Sequence, residues 1–341
     1  MNNEGDYFFI YSCCLTTKGH QRSIICDVQN LEYYLIPNDL CNIVNLLKEN
    51  SIEQIKKLYD NKFNKEIDEY IDFLIQNDLG FYCDKNDLDL FPKINLDWDY
   101  PGLISNAIIE VNVNSKFNFE NIFYQLEKLG CRAILLKFYG AFDYEFISEI
   151  LTKLKISRIE SVEILIKYIK KFNYNDFIDF CRKNQRIRNV KFYNAKTNKL
   201  IFSDNYEQKI SFITKDILDT NCINICPDNF ITNLSFFSEA QNYNTCLNRK
   251  ICIDVNGNLK NCPSMKKSYG NINEIKLHDV VKSAAFTEYW AICKDKITVC
   301  KDCEFRYICH DCRAFVTDSS NIFSKPLYCN YNPYTATFDV D

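Results

Sequence analysis

The chain has 341 residues, 47% hydrophobic and 25% charged, with a formal net charge of -4 and a pI near 5.6. That length admits two or three domains with at least one sizeable core. There is no basic tract, which argues against nucleic acid as a partner, and no apolar run of about eighteen residues, which argues against a membrane-spanning helix. The opening residues Met1–Asp6 are polar and acidic, unlike a signal peptide, so the expected location is the cytoplasm. Eighteen cysteines are many for that reducing compartment, where a dense cluster points to metal rather than to disulfides. Seven are scattered over the first 221 residues and eleven fall in the last 120.

In chain order, the apolar runs Tyr7–Leu15 and Ser23–Val28, separated by the polar stretch Thr16–Arg22, predict a hairpin. A third short run, Tyr33–Ile36, precedes Pro37. Three helices are expected next. Leu40, Ile43, Val44 and Leu47 have helical spacing. Ser51 and Gln54 form a capping box ahead of Ile52, Ile55 and Tyr59. Ile67, Ile71 and Leu74 mark the third helix, with Gly80 closing it, and Phe81–Cys83 offers a further strand. Strands with a three-helix set of this length fit a winged-helix module. The stretch Asp84–Gly102 reads as a linker.

Strands are then expected at Ala107–Val111, Ala133–Phe138, Ser161–Ile166 and Val190–Tyr193. Helices between them are marked by Ile122, Leu126 and Leu129 with Gly130 as cap, by Ile147, Ile150, Leu151 and Leu154, and by Phe177–Cys181. Strand starts recur every 26 to 29 residues, the length of a βα unit, which predicts an α/β fold with a parallel sheet in an open or partial barrel. Chemistry in such folds sits in the loops at the C-terminal ends of the strands. From residue 196 onward the rhythm is lost, and the chain becomes cysteine-rich and loop-rich. The resulting division is residues 1–90, 91–220 and 221–341.

The last segment contains the pairs Cys300/Cys303 and Cys309/Cys312, then Cys329, with Cys246 and Cys262 upstream. A C-x2-C pair puts two thiolates on one turn, within reach of one metal centre. Zinc takes four closed thiolate or imidazole ligands, and the stretch 300–312 suits it, with His310 as a substitute for one thiolate. Iron–sulfur clusters also take four cysteines each. Seven cysteines exceed one site and fall one short of two, and Cys252, Cys222 and Cys226 are candidates for the eighth ligand. On spacing alone both metals stand.

The arrangement C-x10-G-x4-C, a gap, C-x2-C-x5-C-x2-C, a gap and C resembles the SPASM domain of peptide-modifying radical S-adenosylmethionine enzymes. The usual pattern has three residues between the last two cysteines of the central block, where this chain has two. The stretches NTCLNRKICIDVNGNLKNCPSM and CKDCEFRYICHDCRAF are similar to the SPASM-domain peptide maturases of grasp-with-spasm systems, and so are RSIICDVQNLEYYLIPN and SNAIIEVNVNS. The resemblance implies a maturation factor for a ribosomally synthesised, post-translationally modified peptide, acting with an ATP-grasp ligase and binding two auxiliary 4Fe–4S clusters. Its ligands would be Cys246, Cys262 and Cys312 with a fourth from Cys252 or the Cys222/Cys226 pair, and Cys300, Cys303, Cys309 and Cys329. It also implies that the N-terminal module takes the precursor's leader as an added strand. The alternatives are a non-catalytic adaptor presenting the precursor to the ligase, and a zinc-stabilised binding protein.

Radical S-adenosylmethionine enzymes hold their catalytic cluster by C-x3-C-x2-C in the loop after the first barrel strand. The matching loop, Asn112–Asn118, has no cysteine, and Cys222 and Cys226 have the x3 spacing without a third partner. The loop Tyr139–Asp143 reads as an ordinary βα turn around Gly140, so the barrel is expected to be degenerate. Cys13, Cys14, Cys26, Cys41, Cys83, Cys131, Cys181 and Cys293 read as small buried hydrophobes. His20 reads as solvated and His278 has no partner motif. Glu239, Asp254 and Glu304 read as solvated surface, with acid–base work beside a cluster as their functional alternative.

Overall fold

A computed structural model of the chain describes residues 7–154, 157–202, 208–216 and 225–338. The chain divides into two compact units. The first comprises Met1–Trp98, Asn224–Thr245 and Ile292–Asp341, and the second Asp99–Ile223 and Cys246–Ala291.

The first unit opens with β1 (Tyr7–Ile10), β2 (Cys14–Lys18), β3 (Ser23–Asp27) and β4 (Glu32–Ile36). The helices α1 (Asn38–Leu46), α2 (Ile52–Leu58) and α3 (Asn64–Gln76) follow, then β5 (Gly80–Cys83). The first apolar run is not one strand. Cys14 donates its backbone N–H to the Tyr11 carbonyl at 2.8 Å, and this turn splits Tyr7–Leu15 in two. β1 pairs antiparallel with β5, while β2 is the hairpin partner of β3, with Cys14 opposite Asp27. β4 completes the three-stranded sheet on the other side of β3.

The capping box forms as expected at Ser51 and Gln54. Gly80 does not close α3. Asp78 takes the left-handed conformation there, at φ 53°, and Gly80 begins β5, where a Cβ would stand 2.3 Å from the Phe9 carbonyl. All five residues of β3 are buried. Ile25 packs with Phe8, Leu40, Val44, Ile55 and Leu74, and Ile24, Cys26 and Val28 pack with Phe237, Phe305 and Ile308. A strand covered on both faces reads as a continuous apolar run, which is what Ser23–Val28 shows.

The second unit is a mixed α/β structure around an eight-stranded, mostly parallel sheet. Its elements are β6 (Asn106–Asn112), α4 (Phe119–Lys128), β7 (Ala133–Tyr139), α5 (Tyr144–Thr152), β8 (Ser161–Lys167), α6 (Tyr174–Arg182) and β9 (Ile187–Tyr193). β10 (Lys199–Phe202), β11 (Lys209–Phe212), β12 (Lys250–Ile253) and β13 (Leu259–Lys260) complete it. The strand order is β10-β11-β9-β8-β7-β6-β12-β13. The four strands and three helices expected from the βα rhythm are all present. Four more strands lie beyond residue 196, where the sequence reads as loops. β11 runs parallel to β9, β12 runs parallel to β6 with Cys252 opposite Ile108, and the short β10 and β13 close the edges antiparallel.

Alternate residues Ile109, Val111, Leu136, Phe138, Ile164 and Ile166 enter the core shared with α4, α5 and α6. The opposite face carries Glu110, whose Oε1 accepts from Lys137 Nζ at 3.2 Å and from Tyr139 Oη at 2.6 Å. Gly130, at φ 79°, takes the left-handed position after α4, as a C-terminal cap requires.

The chain returns to the first unit with α7 (Leu234–Asn242). Asn233 caps it by accepting from the Phe236 N–H. The cysteine-rich stretch from Ile292 onward belongs to this unit too. No helix among the described residues is long and apolar enough to cross a membrane.

Candidate metal centre

Within the first unit, Cys300 opens a tight turn. Val299 before it is left-handed at φ 72°, and the Cys303 N–H donates to the Cys300 carbonyl at 3.0 Å. This brings the first C-x2-C pair onto one turn. Cys300 and Cys309 are buried, and Cys303 and Cys329 are partly exposed. The four are electrostatic neighbours. The Cys300 thiol feels Cys329, Cys303 feels Cys309 and Cys300, and Cys309 feels Cys329 and Cys300. Burial pushes all three thiols up, Cys303 well above the usual range and Cys309 to about 12.

A cation sits among them. Lys294 is only 5% exposed, and burial opposes its charge. Cys309, Cys300, Asp311 and Cys329 outweigh that opposition and raise its pKa. Asp311 is already engaged elsewhere. Its Oδ1 accepts from Arg313 Nη2 at 2.6 Å and its Oδ2 from Asn244 Nδ2 at 2.5 Å, whereas Lys294 Nζ stands 4.0 Å away. Two buried cations thus share one carboxylate. Buried cations in excess of buried carboxylates favour further negative charge beside them.

The spacing of the sulfurs bears on which metal fits. A tetrahedral zinc–thiolate centre, with Zn–S bonds of about 2.3 Å, holds its sulfurs about 3.8 Å apart. Among the described residues, no three of these four sulfurs lie within 4.8 Å of one another. A cluster of several irons spreads its four cysteines more widely than one ion does.

The other expected ligands are distributed differently. Cys312 is buried in the first unit. Cys246 and Cys262 belong to the second, where Cys246 Sγ lies 3.9 Å from Lys250 Nζ. Cys252 is fully buried in β12, and burial, reinforced by Glu110 and Cys262, pushes its thiol well up. Cys226 belongs to the first unit and accepts from Asn229 Nδ2 at 3.2 Å. Cys222 lies outside the described residues. His310 packs edge-on against Phe236.

Two acidic residues depart from the expected solvated surface. Glu304 is 0% exposed. Its Oε1 accepts from Arg22 Nε at 2.7 Å and from Tyr331 Oη, while its Oε2 has no hydrogen-bond partner. Asp254 is buried as well. Its burial raises the carboxyl pKa, but Lys260 at 2.9 Å and Asn258 outweigh that and leave it lowered. Lys294 and Arg313 are residues that sequence reasoning missed. The short stretch Lys294–Lys296 carries no motif, and the available signal was only its position just ahead of Cys300.

The loop Asn112–Asn118 is held by Ser115, whose Oγ lies 2.7 Å from the Val255 carbonyl and accepts from the Asn112 N–H at 3.0 Å. Asp143 caps α5 by accepting from the Phe146 N–H at 2.9 Å, the ordinary turn role expected of it.

No protein-family model matches the chain, and no curated protein matches it. Among solved structures it is similar to SuiB of Streptococcus suis bound to S-adenosylmethionine. That alignment has 14% identity, covers 94% of this chain and 99% of that one, and has a TM-score of 0.37. SuiB bound to its precursor peptide SuiA aligns at 14% identity over 90% of this chain and 96% of that one, with a TM-score of 0.33. Similarity at this level assigns neither fold nor activity, and the functional reading rests on the residues of this chain.

Proposed function

We propose that the chain is an iron–sulfur maturation factor for a ribosomally made peptide. In this reading Cys300, Cys303, Cys309 and Cys329 hold one 4Fe–4S cluster. The observation that carries it is that Cys300, Cys309 and Cys329 all act on the buried Lys294, with Cys303 a neighbour of Cys300 and Cys309. The cluster supplies anionic charge beside Lys294, whose Nζ stands 4.0 Å from Asp311, and it fixes a segment poor in regular structure. Cys246, Cys252 and Cys262, all of the second unit, are the further iron ligands that this reading draws from that unit.

The peptide-binding part of the proposal concerns β4. It is an edge strand of the three-stranded sheet, and Leu35 on it is exposed. An extended peptide adds to such an edge through main-chain hydrogen bonds, with side-chain pockets giving specificity. A groove of about 300 Å³ on the helices of this module is lined by Ile43, Tyr59, Phe63, Ile67 and Tyr70 together with the carboxylates of Asp39 and Glu66. The ATP-grasp ligase is the proposed partner that acts on the bound peptide, and the loop Asn112–Asn118 offers no thiolates for a radical-generating cluster.

The test is anaerobic purification with iron and sulfide analysis, followed by titration of the short precursor encoded beside the gene. Iron near eight per chain with micromolar or tighter peptide binding is the expected result. Stoichiometric zinc without iron would establish the second reading, a zinc-stabilised binding protein.

A further inference from the structure

The one place among the described residues where three ligand atoms of metal-binding type lie within 4.8 Å of one another is not in the cysteine-rich segment. It is Cys13, Cys14 and Asp27. Cys14 begins β2 and stands opposite Asp27, the last residue of β3. The turn that splits the first apolar run, from the Tyr11 carbonyl to the Cys14 N–H, swings Cys13 out of strand alternation. Two adjacent cysteines, which in a continuous strand would point to opposite faces, therefore both reach Asp27.

Asp27 is 3% exposed. Its Oδ1 accepts from the N–H groups of Gln29 and Asn30 at 2.9 and 3.0 Å, and its Oδ2 accepts from Asn30 Nδ2 at 2.8 Å. These bonds fix the carboxylate and leave a lone pair on Oδ2. The same kind of outer hydrogen bonding orients carboxylates that ligate metals. Among the described residues no lysine, arginine or histidine pairs with Asp27, so its charge faces two thiols with no cation between them. The Cys14 thiol is pushed up by burial, and further by Cys13 and Asp27. Cys26 is excluded from the group, because its thiol faces the Thr232 carbonyl at 3.7 Å.

We propose that Cys13, Cys14 and Asp27 form a three-ligand site for a single zinc-class divalent cation. Two thiolates and one carboxylate suit a borderline-soft ion. Three protein ligands leave the fourth position free on the side of the partly exposed Cys13. Binding releases the two thiol protons, and the divalent charge then holds two thiolates and one carboxylate together. The site is separate from the cysteines assigned to iron and does not depend on them.

The experiment uses the full chain, purified anaerobically, with zinc and iron measured on the same samples and cobalt(II) titrated as an optical probe. The variants are Cys13→Ser/Cys14→Ser and Asp27→Asn. Asparagine retains an oxygen to accept the Gln29 and Asn30 N–H bonds, so the turn is preserved while the anionic ligand is lost. The double serine variant should hold one zinc fewer per chain at unchanged iron. It should also lose a matching share of the thiolate-to-cobalt charge-transfer absorption. Asp27→Asn should weaken the zinc affinity of this site by more than about tenfold. Equal zinc and equal cobalt absorption in wild type and Asp27→Asn would overturn the site, whether or not the serine variant folds. Iron content reports independently on the clusters.

Discussion

Arg22 Nε lies 2.7 Å from Glu304 Oε1, joining residues 282 apart in sequence. Arg22 lies just ahead of β3, and Glu304 lies one residue past the first C-x2-C pair. The pair is flanked by Tyr331, whose hydroxyl donates to the same carboxylate oxygen and accepts from Arg22 Nη2 at 3.2 Å. The N-terminal sheet and the cysteine segment are thus parts of one folded body.

Replacing Arg22 by Met leaves the fully buried Glu304 charge with one hydroxyl donor. Truncating one partner of a buried ion pair typically costs about 3 kcal/mol or more. Chemical denaturation of the metal-free protein should show a loss of that order, and a change below about 1 kcal/mol would mean that water reaches Glu304 in the variant.

Cys303→Ala and Cys329→Ala should each remove about half of the iron if each residue ligates the same one of two clusters. The double variant should lose no more than either single variant. Additive loss, measured by iron analysis on anaerobic samples, would place the two residues in different clusters.

If the proposed cluster forms at Cys300, Cys303, Cys309 and Cys329, Lys294→Met should lower its midpoint potential. Removing a nearby positive charge makes addition of an electron harder, and one unit charge at an effective dielectric of about 20 corresponds to a shift on the order of 100 mV. An EPR-monitored redox titration measures it. An unchanged or raised potential would show that the lysine charge does not reach the cluster.

The metal-free protein should be sensitive to alkali. Burial raises the thiols of Cys300, Cys303 and Cys309, the last to about 12 against an ordinary value of 9.0. A raised folded-state value contributes stability that is complete below pH 9 and is lost as pH rises toward 12, because the unfolded chain releases these protons first. Thermal melts of metal-free protein from pH 8 to pH 10.5 should therefore fall at the alkaline end. Iron-loaded protein, its thiols already deprotonated by the metal, should show a shallower decline.

The chain should not cleave S-adenosylmethionine reductively. The loop Asn112–Asn118 supplies asparagines, a serine and a lysine, and Ser115 is committed to the Asn112 N–H and the Val255 carbonyl. Incubating reconstituted protein with dithionite and S-adenosylmethionine should give no 5′-deoxyadenosine above a boiled control. Turnover that disappears in Cys246→Ala would locate an open iron site among the upstream cysteines.

Local signals in the sequence were strong where neighbours in the chain are neighbours in the fold. The capping box at Ser51 and Gln54 and the left-handed cap at Gly130 depend on residues a few positions apart, and the βα rhythm from β6 to β9 on units that follow one another directly in the chain. The pairing of β12 with β6 does not, since Cys252 and Ile108 meet across more than a hundred residues, and three apolar residues in a cysteine-rich stretch look like a loop. β1 was joined to the wrong partner because a continuous apolar run conceals the turn at Tyr11–Cys14. The same turn conceals the grouping of Cys13 and Cys14 with Asp27, for which a vicinal cysteine pair in an apolar run is no signal. Glu304 and Lys294 were misjudged or overlooked because a charged residue is normally exposed, and only its distant partners reveal otherwise.

The chain leaves the first unit after Trp98, re-enters it at Asn224, leaves again after Thr245 and returns at Ile292. During synthesis the N-terminal sheet therefore waits. Ile24, Cys26 and Val28 have their packing partners in Phe237, Phe305 and Ile308, which emerge more than two hundred residues later. A nascent chain, or a fragment ending at residue 90, presents that apolar strip to solvent. At a ribosomal elongation rate of about 5–20 residues per second the strip stays bare for on the order of ten seconds or more. Cells making this protein would have to shield the strip until the cysteine segment is out.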